Sequence, residues 1–475
     1  MNAPVDDAAS TRPVVPSLKE VATQRSVVIF LLATFILEIG ISSQFTALGK
    51  RVFDIGGREL DLGLLGLAEF LPVALLVLLT GAVADRFDRR KVASIALVGE
   101  AAFTLLLIVE VERSDATIGP IFGLVVGYAI ARAFLSPAIR ALPSTIVAPE
   151  ALPRISPLYS GAFQAGIIAG PVVGAFLYTI DVWVPFAVSA GCLLVGAVLV
   201  LFVQLHPTYE HRAAESARRD ERATGASGTS GTSGTSGTSG TSKVSEALEG
   251  LKVIRKEPLL LGAISLDLFA VLFGGAVALL PAVAEQRLGV GVVGLGWLRA
   301  AAGLGAGLMT ATLAFRPVQR HVGATLFATV GVFGAATIVF GFTRNFGVAF
   351  GALVVLSGAD SISVFIRSTL VPLVTPNEVR GRVGAVENVF IGASNELGAF
   401  ESGLLGQALG AGPAIVAGGA ATIAVVLIWP MLFPAIRRLD HFPFHHSFAA
   451  STGTAVPAAA DEAVLLPTTN READS

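Results

Sequence analysis

Gly81-Ala-Val-Ala-Asp-Arg-Phe-Asp-Arg-Arg-Lys91 is a knot of charge set between two apolar runs, each long enough to cross a bilayer. Its six charged residues cost too much to bury in hydrocarbon, so the stretch reads as a tight turn at a membrane surface. The rest of the chain supports that reading. Its 475 residues are 53% hydrophobic and only 14% charged, with a mean hydropathy of +0.73. Soluble domains average about 25% charged residues. The composition therefore excludes a soluble multidomain enzyme and fits a polytopic membrane protein. A net charge of −2 gives no electrostatic footprint for nucleic acid. Cys192, the sole cysteine, lies in an apolar run, which excludes a disulfide framework and leaves no thiolate cluster for a metal.

Working outward from the knot, runs long enough to span hydrocarbon recur twelve times. In the first half they fall at about 26–49, 62–84, 92–111, 118–140, 157–180 and 183–205. In the second they fall at about 258–281, 292–315, 324–343, 346–371, 383–409 and 413–436. None shows the alternation of a barrel wall. The expected fold is all-α and integral to the membrane, with twelve transmembrane helices in two six-helix halves. Residues 1–25 form a polar N-terminal tail with no apolar core before Val27, hence no cleavable signal peptide. The halves are 26–206 and 258–437, joined by a linker, 207–257, and followed by a tail, 438–475. From Gly228 to Ser242 the linker repeats Gly-Thr-Ser five times, a flexible coil that buries no core. Leu248, Leu251 and Ile254 then follow three apart, which predicts an amphipathic helix on the membrane surface.

Lysine and arginine set the orientation. With the N-terminus inside, inner segments carry Lys19, Arg25, the 86–91 cluster, Arg154, Lys252, Arg255, Lys256, Arg316, Arg320, Arg380 and Arg382, among others. Outer loops carry only Lys50, Arg51, Arg58, Arg113, Arg287 and Arg344. Both termini and the linker are therefore expected in the cytoplasm. An internal repeat supports the six-plus-six plan. Ser136-Pro-Ala-Ile-Arg140 aligns with Ser363-Val-Phe-Ile-Arg367 and the match continues to Pro149 and Pro376. After one inserted residue Arg154 matches Arg382 and Gly170 matches Gly398.

The 81–91 knot matches the signature Gly-x-x-x-Asp-Arg-x-x-Arg-Arg/Lys, and on these residues the chain resembles the major facilitator superfamily of solute transporters. The resemblance implies that Gly81 permits close helix contact. It implies that Asp85 with Arg86, Arg89 and Arg90 forms a switchable charge cluster. Asp85 would then face the N-terminal end of the eleventh helix, whose dipole favours an anion, and latch the halves closed on the cytoplasmic side. Asp88 departs from the pattern, since many members have glycine there. The fifth span carries Gly161, Gly166, Gly170, Pro171 and Gly174. This resembles the antiporter signature Gly-Pro-x-x-Gly-Gly, with Ala175 for the last glycine. It reads either as small-residue packing or, by resemblance, as a bend favouring export. Asp267–Gly275, Thr375–Arg382 and Ile391–Gly398 look like the drug:proton antiporter and enterobactin-exporter branch. That likeness spans about 20–440 and implies export of a drug, siderophore or metabolite.

Charges at membrane depth cost about 2.5–3.5 kcal/mol each at a helix centre on insertion scales, so they face a cavity or a partner. Glu38, Arg132, Asp267 and Asp360 sit in spans one, four, seven and ten, which surround the central cavity in the family fold. Glu38, Asp267 and Asp360 are the candidates for proton coupling, with Arg132 as partner; fixed ion pairs or snorkelling are the alternatives. Asn395 and Glu396, mid-span in the eleventh helix, contact substrate or stabilise the helix. Glu69, Glu100, Arg299, Glu387 and Glu401 lie on other spans.

No Gly-x-x-x-x-Gly-Lys-Ser/Thr occurs, so no ATP-binding loop is expected. No nucleophile, base and orienting group stand together as in an enzyme, and no metal site is expected. The sequence reads as a monomeric secondary active transporter of the bacterial inner membrane. It would need no cofactor beyond the proton motive force. Its partners would be a small-molecule substrate, protons and the lipid bilayer. An importer or facilitator of the same fold, or a non-transporting sensor or scaffold, remains open.

Overall fold

In lipid every backbone polar group must be satisfied within its own segment, which leaves helices as the structure for runs such as these. The computed structural model describes residues 17–206 and 249–443, apart from the side chains of Leu78, Ala82 and Asp85. The Gly-Thr-Ser repeat, His445, His446 and most of both tails lie outside the described residues. In the first half six long helices follow in order: α1 (Arg25–Gly56), α2 (Glu59–Arg86), α3 (Arg89–Glu112), α4 (Ile118–Ala141), α5 (Leu152–Ile180) and α6 (Val184–Phe202). The second half repeats the plan with α7 (Pro258–Phe273), α8 (Gly291–Phe315), α9 (Val322–Phe342), α10 (Phe346–Val374), α11 (Arg380–Leu409) and α12 (Ala411–Leu432). Beyond α7 the seventh span continues as a 3-10 turn, Gly275–Leu279, then a helical turn and a π turn, Val283–Arg287. Helix is lost at Gly274 and Gly275, where little side chain resists the change.

Eleven of these spans are long and apolar enough to cross a membrane by length and composition. The twelfth, α11, is 30 residues long but carries Arg380, Arg382, Glu387, Glu396 and Glu401. Its polarity has a structural reason: it packs against α2 and α7 in the interior. Outward faces are apolar instead. Leu75, Ile95 and Met431 are 72%, 73% and 79% exposed, a surface suited to lipid and not to water.

Two pieces add to the sequence reading. Residues Leu18–Thr23 form a short helix closed by a capping box. The Glu20 amide donates to the Ser17 hydroxyl at 3.3 Å, and the Ser17 amide donates to the Glu20 carboxylate at 2.8 Å. Val21 of this helix is buried in the core of the first half. The described end of the linker, 249–256, is helical. It packs Ile254 into the core of the second half, and Arg382 pairs with Glu249 at 2.6 Å.

The halves meet through α2 on α11 and α5 on α8, equivalent pairs in a six-plus-six plan. Small residues bring the backbones together. A Cβ on Gly63 would stand 2.9 Å from the Ala399 carbonyl and 2.9 Å from the Phe400 Cα. A Cβ on Gly303 would stand 2.9 Å from the Ile168 side chain, and the Gln164 amide donates to the Gly303 carbonyl at 2.7 Å. All these contacts lie midway along the bundle or towards the end that holds the turns at 57–58 and 181–183. At the other end, which holds the 87–88 turn, a Cβ on Gly81, Gly161, Gly381 or Gly384 would meet nothing within 4 Å. Among the described residues, the close backbone contacts between the halves thus lie midway and towards one end, called here the sealed end, and these four glycines at the basic end make none. The expected close contact at Gly81 is therefore not made in this conformation.

Candidate functional site

A cavity of about 480 Å³ lies between the halves, directly behind the sealed end. Its wall includes Phe45 of α1, Glu69 of α2, Arg299 of α8, Asp360 of α10, and Asn395 and Glu396 of α11. The unwound Gly274–Gly275 and Phe333 complete one side. Ligand sites are commonly 300–1,000 Å³, mostly apolar with a few polar groups, and this cavity fits that description.

Behind the wall the first half holds a charged network. Arg132 of α4 donates through Nε and Nη2 to Glu100 Oε1 of α3, at 3.0 and 2.6 Å. Its Nη1 lies 3.9 Å from Glu69 Oε2, and the guanidinium sits 5.1 Å from the Tyr128 ring centroid. The Tyr128 hydroxyl donates to Glu69. The network ties α2, α3 and α4 together. Glu100 Oε2 stays buried without a hydrogen-bond partner among the described residues.

The second half holds one closed pair. Arg367 of α10 forms an ion pair with Asp267 of α7, Nη2 to Oδ1 at 2.7 Å, with the two side chains 4% and 6% exposed. Such a pair is costly to break, because either partner alone is a buried unpaired charge.

The structure sorts the sequence candidates. Asp360, Asn395 and Glu396 stand on the cavity wall, whereas Glu38, Arg132 and Asp267 are not part of it. Arg132 pairs directly with Glu100 and also lies close enough to Glu38 to interact with its charge; it forms no ion pair with Asp267 or Asp360 among the described residues. Asp267 pairs instead with Arg367, a residue read in the sequence only as part of the repeat. Its position held a signal: Arg367 follows Asp360 by two helical turns in an apolar run, so it needed an acid nearby. Tyr128 carried no signal, since an aromatic in an apolar helix is unremarkable. Glu38 packs beneath Gly166, where there is no room for a Cβ. Asn395 Nδ2 donates to the Ile391 carbonyl of its own helix at 2.8 Å.

The glycines of α5 act in packing. Gly170 and Gly174 lie against Ser42 and Ser43 of α1, at 2.6 Å in both cases for an added Cβ. Pro171 and Ala175 lie on the other side of α5: a Cβ on Gly296 of α8 would stand 2.6 Å from the Pro171 carbonyl and 2.5 Å from the Ala175 Cβ. Gly161 faces open space.

In the 81–91 loop, Arg86 is exposed and the Asp85 side chain lies outside the described residues. Arg89 Nη1 donates to the Ala141 carbonyl at 3.3 Å and Arg90 Nη1 to the Val203 carbonyl at 2.9 Å, so both hold helix ends of their own half. Asp88 caps α3, accepting from the Arg90 amide at 2.9 Å. Burial works to raise its carboxyl, but the hydrogen bonds and charge of Arg90 hold it below the ordinary carboxylate value. The sealed end has an ion pair of its own: Lys50 of α1 lies 3.3 Å from Glu285 in the π turn of the other half and also contacts Asp54.

Comparisons with known proteins follow the geometry. The family model of the Major Facilitator Superfamily matches residues 30–399. No curated protein matches the sequence. Among solved structures, a bacterial homologue of the human lysosomal transporter Spinster, inward-facing and unoccupied, is similar at TM-score 0.60 and 16% identity, over 87% of this chain and 95% of that one. The nucleoside transporter NupG is similar at 0.65 and 12%, over 86% and 99%. A POT family transporter in complex with 5-aminolevulinic acid is similar at 0.64 and 11%, over 87% and 96%. At these identities the likeness is one of fold.

Proposed function

The chain belongs to the major facilitator superfamily, and on that premise we propose that it is a secondary active transporter that exports a small organic molecule in exchange for protons. The observation that carries this reading is a charged cavity between two halves whose closest backbone contacts, among the described residues, lie midway and towards one end. Rocking the halves about such a cavity would expose it alternately to each face of the membrane. The excess of lysine and arginine places the basic end in the cytoplasm, with both termini, so the conformation is inward-facing. The inward-facing Spinster homologue is in keeping with that state. Export is supported by the resemblance to drug and siderophore exporters and by the Gly170-Pro171 pair of α5. The bacterial inner membrane follows from the same resemblance. Asp360 and Glu396 are the proton carriers this reading favours, because they face the cavity and have no ion-pair partner among the described residues. Glu38 remains a candidate behind α5.

One observation favours a facilitator instead. Asp267, a coupling candidate from the sequence, is closed in an ion pair with Arg367. The two readings separate in proteoliposomes under an imposed pH gradient, with lumenal pH followed while dyes, drugs and siderophores are added. Antiport gives substrate-dependent proton movement, lost in Asp85→Asn and reduced in Asp360→Asn and Glu396→Gln. Substrate flux without proton movement would establish the facilitator. Absence of both, with folded and inserted protein, would sink transport.

A further inference from the structure

The cavity wall carries both signs of charge, and three of its charged side chains form no ion pair with a described residue. Arg299 of α8 feels the charge of Glu69 on the same wall but makes no direct ion pair with a described residue; its guanidinium lies over Phe45, 4.4 Å from the ring centroid. Its Nε is buried with no hydrogen-bond partner. Across the wall, Asp360 and Glu396 enter no ion pair or hydrogen bond with described residues, whereas Glu69 is already held by Tyr128 and faced by Arg132. Charges withdrawn from bulk water are costly unless they are answered. Here the unanswered ones converge on a single cavity of ligand size, bordered by the apolar Phe45, Leu65, Val271 and Phe333.

We propose that the cavity binds an aromatic or otherwise apolar zwitterion, its anionic group on Arg299 and its cationic group on Asp360 and Glu396. This deepens the transport reading and rests on it for calling the ligand a cargo. A ligand with only a positive charge would meet Arg299 as a like charge, and one with only a negative charge would meet three carboxylates, Glu69, Asp360 and Glu396. A neutral ligand would leave all three groups unanswered. Phe45 adds a constraint: it holds one face of the guanidinium, which leaves the guanidinium edge for a carboxylate or phosphonate.

The test reads binding, not flux. Purified protein is titrated with two aromatic zwitterions of different charge separation, tryptophan and norfloxacin, and with the ethyl ester and N-acetyl form of each. Thermal shift and calorimetry provide the readouts. At least one zwitterion should bind about tenfold or more tightly than both of its single-charge forms, the value of one charge-assisted hydrogen bond. Arg299→Gln should erase the preference over the ester and keep the preference over the N-acetyl form. The double variant Asp360→Asn/Glu396→Gln should do the reverse. Should Arg299→Gln fail to fold by size-exclusion chromatography, Arg299→Lys keeps the cation and should retain the preference. Single-charge forms binding as tightly as the zwitterions, no binding by either zwitterion, or an unchanged preference in the folded variants would each overturn the proposal. Zwitterion binding without any flux would leave this site standing and sink the transport reading. Proton-coupled flux of a cargo bearing one charge would do the opposite.

Discussion

Gly63 and Gly81 sit on the same face-seeking helix, α2, towards opposite ends of the bundle, and their surroundings differ completely. At Gly63 the backbone of α11 is in contact, while at Gly81 nothing approaches. The same contrast holds between Gly303 on α8, packed on Ile168, and Gly161 on α5, which is unopposed. Glycine at a contact is explained by the contact. Glycine with nothing opposite it is explained if the contact belongs to the other state, in which the basic end closes and the sealed end parts. If the proposed transport cycle holds, Gly81 and Gly161 are where the other state would make its contact, whereas Gly119, Gly123 and Gly351 are equally unopposed at the sealed end and carry no such role.

The largest effect lies outside that contrast and calibrates it. Arg367→Ala leaves Asp267 buried and unpaired and should cost about 3–5 kcal/mol of stability. Thermal unfolding in detergent measures this, and the loss should fall on both states alike, without shifting the balance between ends. Next come the two glycines. Gly63→Leu should drive the sealed end apart and Gly81→Leu should hold the basic end open, each by about 1–3 kcal/mol, or roughly 5- to 150-fold in population. Distances between spin labels placed across each end would show opposite shifts for the two variants; shifts of the same sign would break the comparison. Gln164→Leu removes one hydrogen bond across the sealed end and should move the same distances in the Gly63→Leu direction by about 0.6–1.7 kcal/mol. Lys50→Ala should give the smallest change, about 0.2–1 kcal/mol, because the Glu285 side of the pair is half-exposed and at 3.3 Å the contact is loose. That last effect should shrink further in high salt, whereas the Gln164→Leu effect should not.

The position of a residue on the cavity wall was legible where its chemistry was local. Asp360, Asn395 and Glu396 announced themselves as polar groups in apolar runs, and they do line the cavity. Arg299 announced itself in the same way but was passed over, because its span was not expected at the centre. The repeat misled on Arg140 and Arg367. It makes them equivalent, yet Arg140 is exposed at the end of α4 and Arg367 is buried against Asp267. Duplication preserved the position along the helix and not the partner, because the acid that decides burial sits on another helix of only one half.

By itself the sequence determined the twelve long helices and their apolar faces, though not their ends, since insertion into lipid depends on the hydropathy and charge of each segment taken separately. It also marked the 81–91 turn and the small-residue stripe of α5, both written in contiguous residues. Only the tertiary structure decided which acid meets which base, that α11 packs against α2 and α7, and at which end the halves make their close contacts. Those outcomes turn on contacts between helices far apart in the chain. The choice between ends rests further on small differences among several such contacts, which no single stretch of sequence contains.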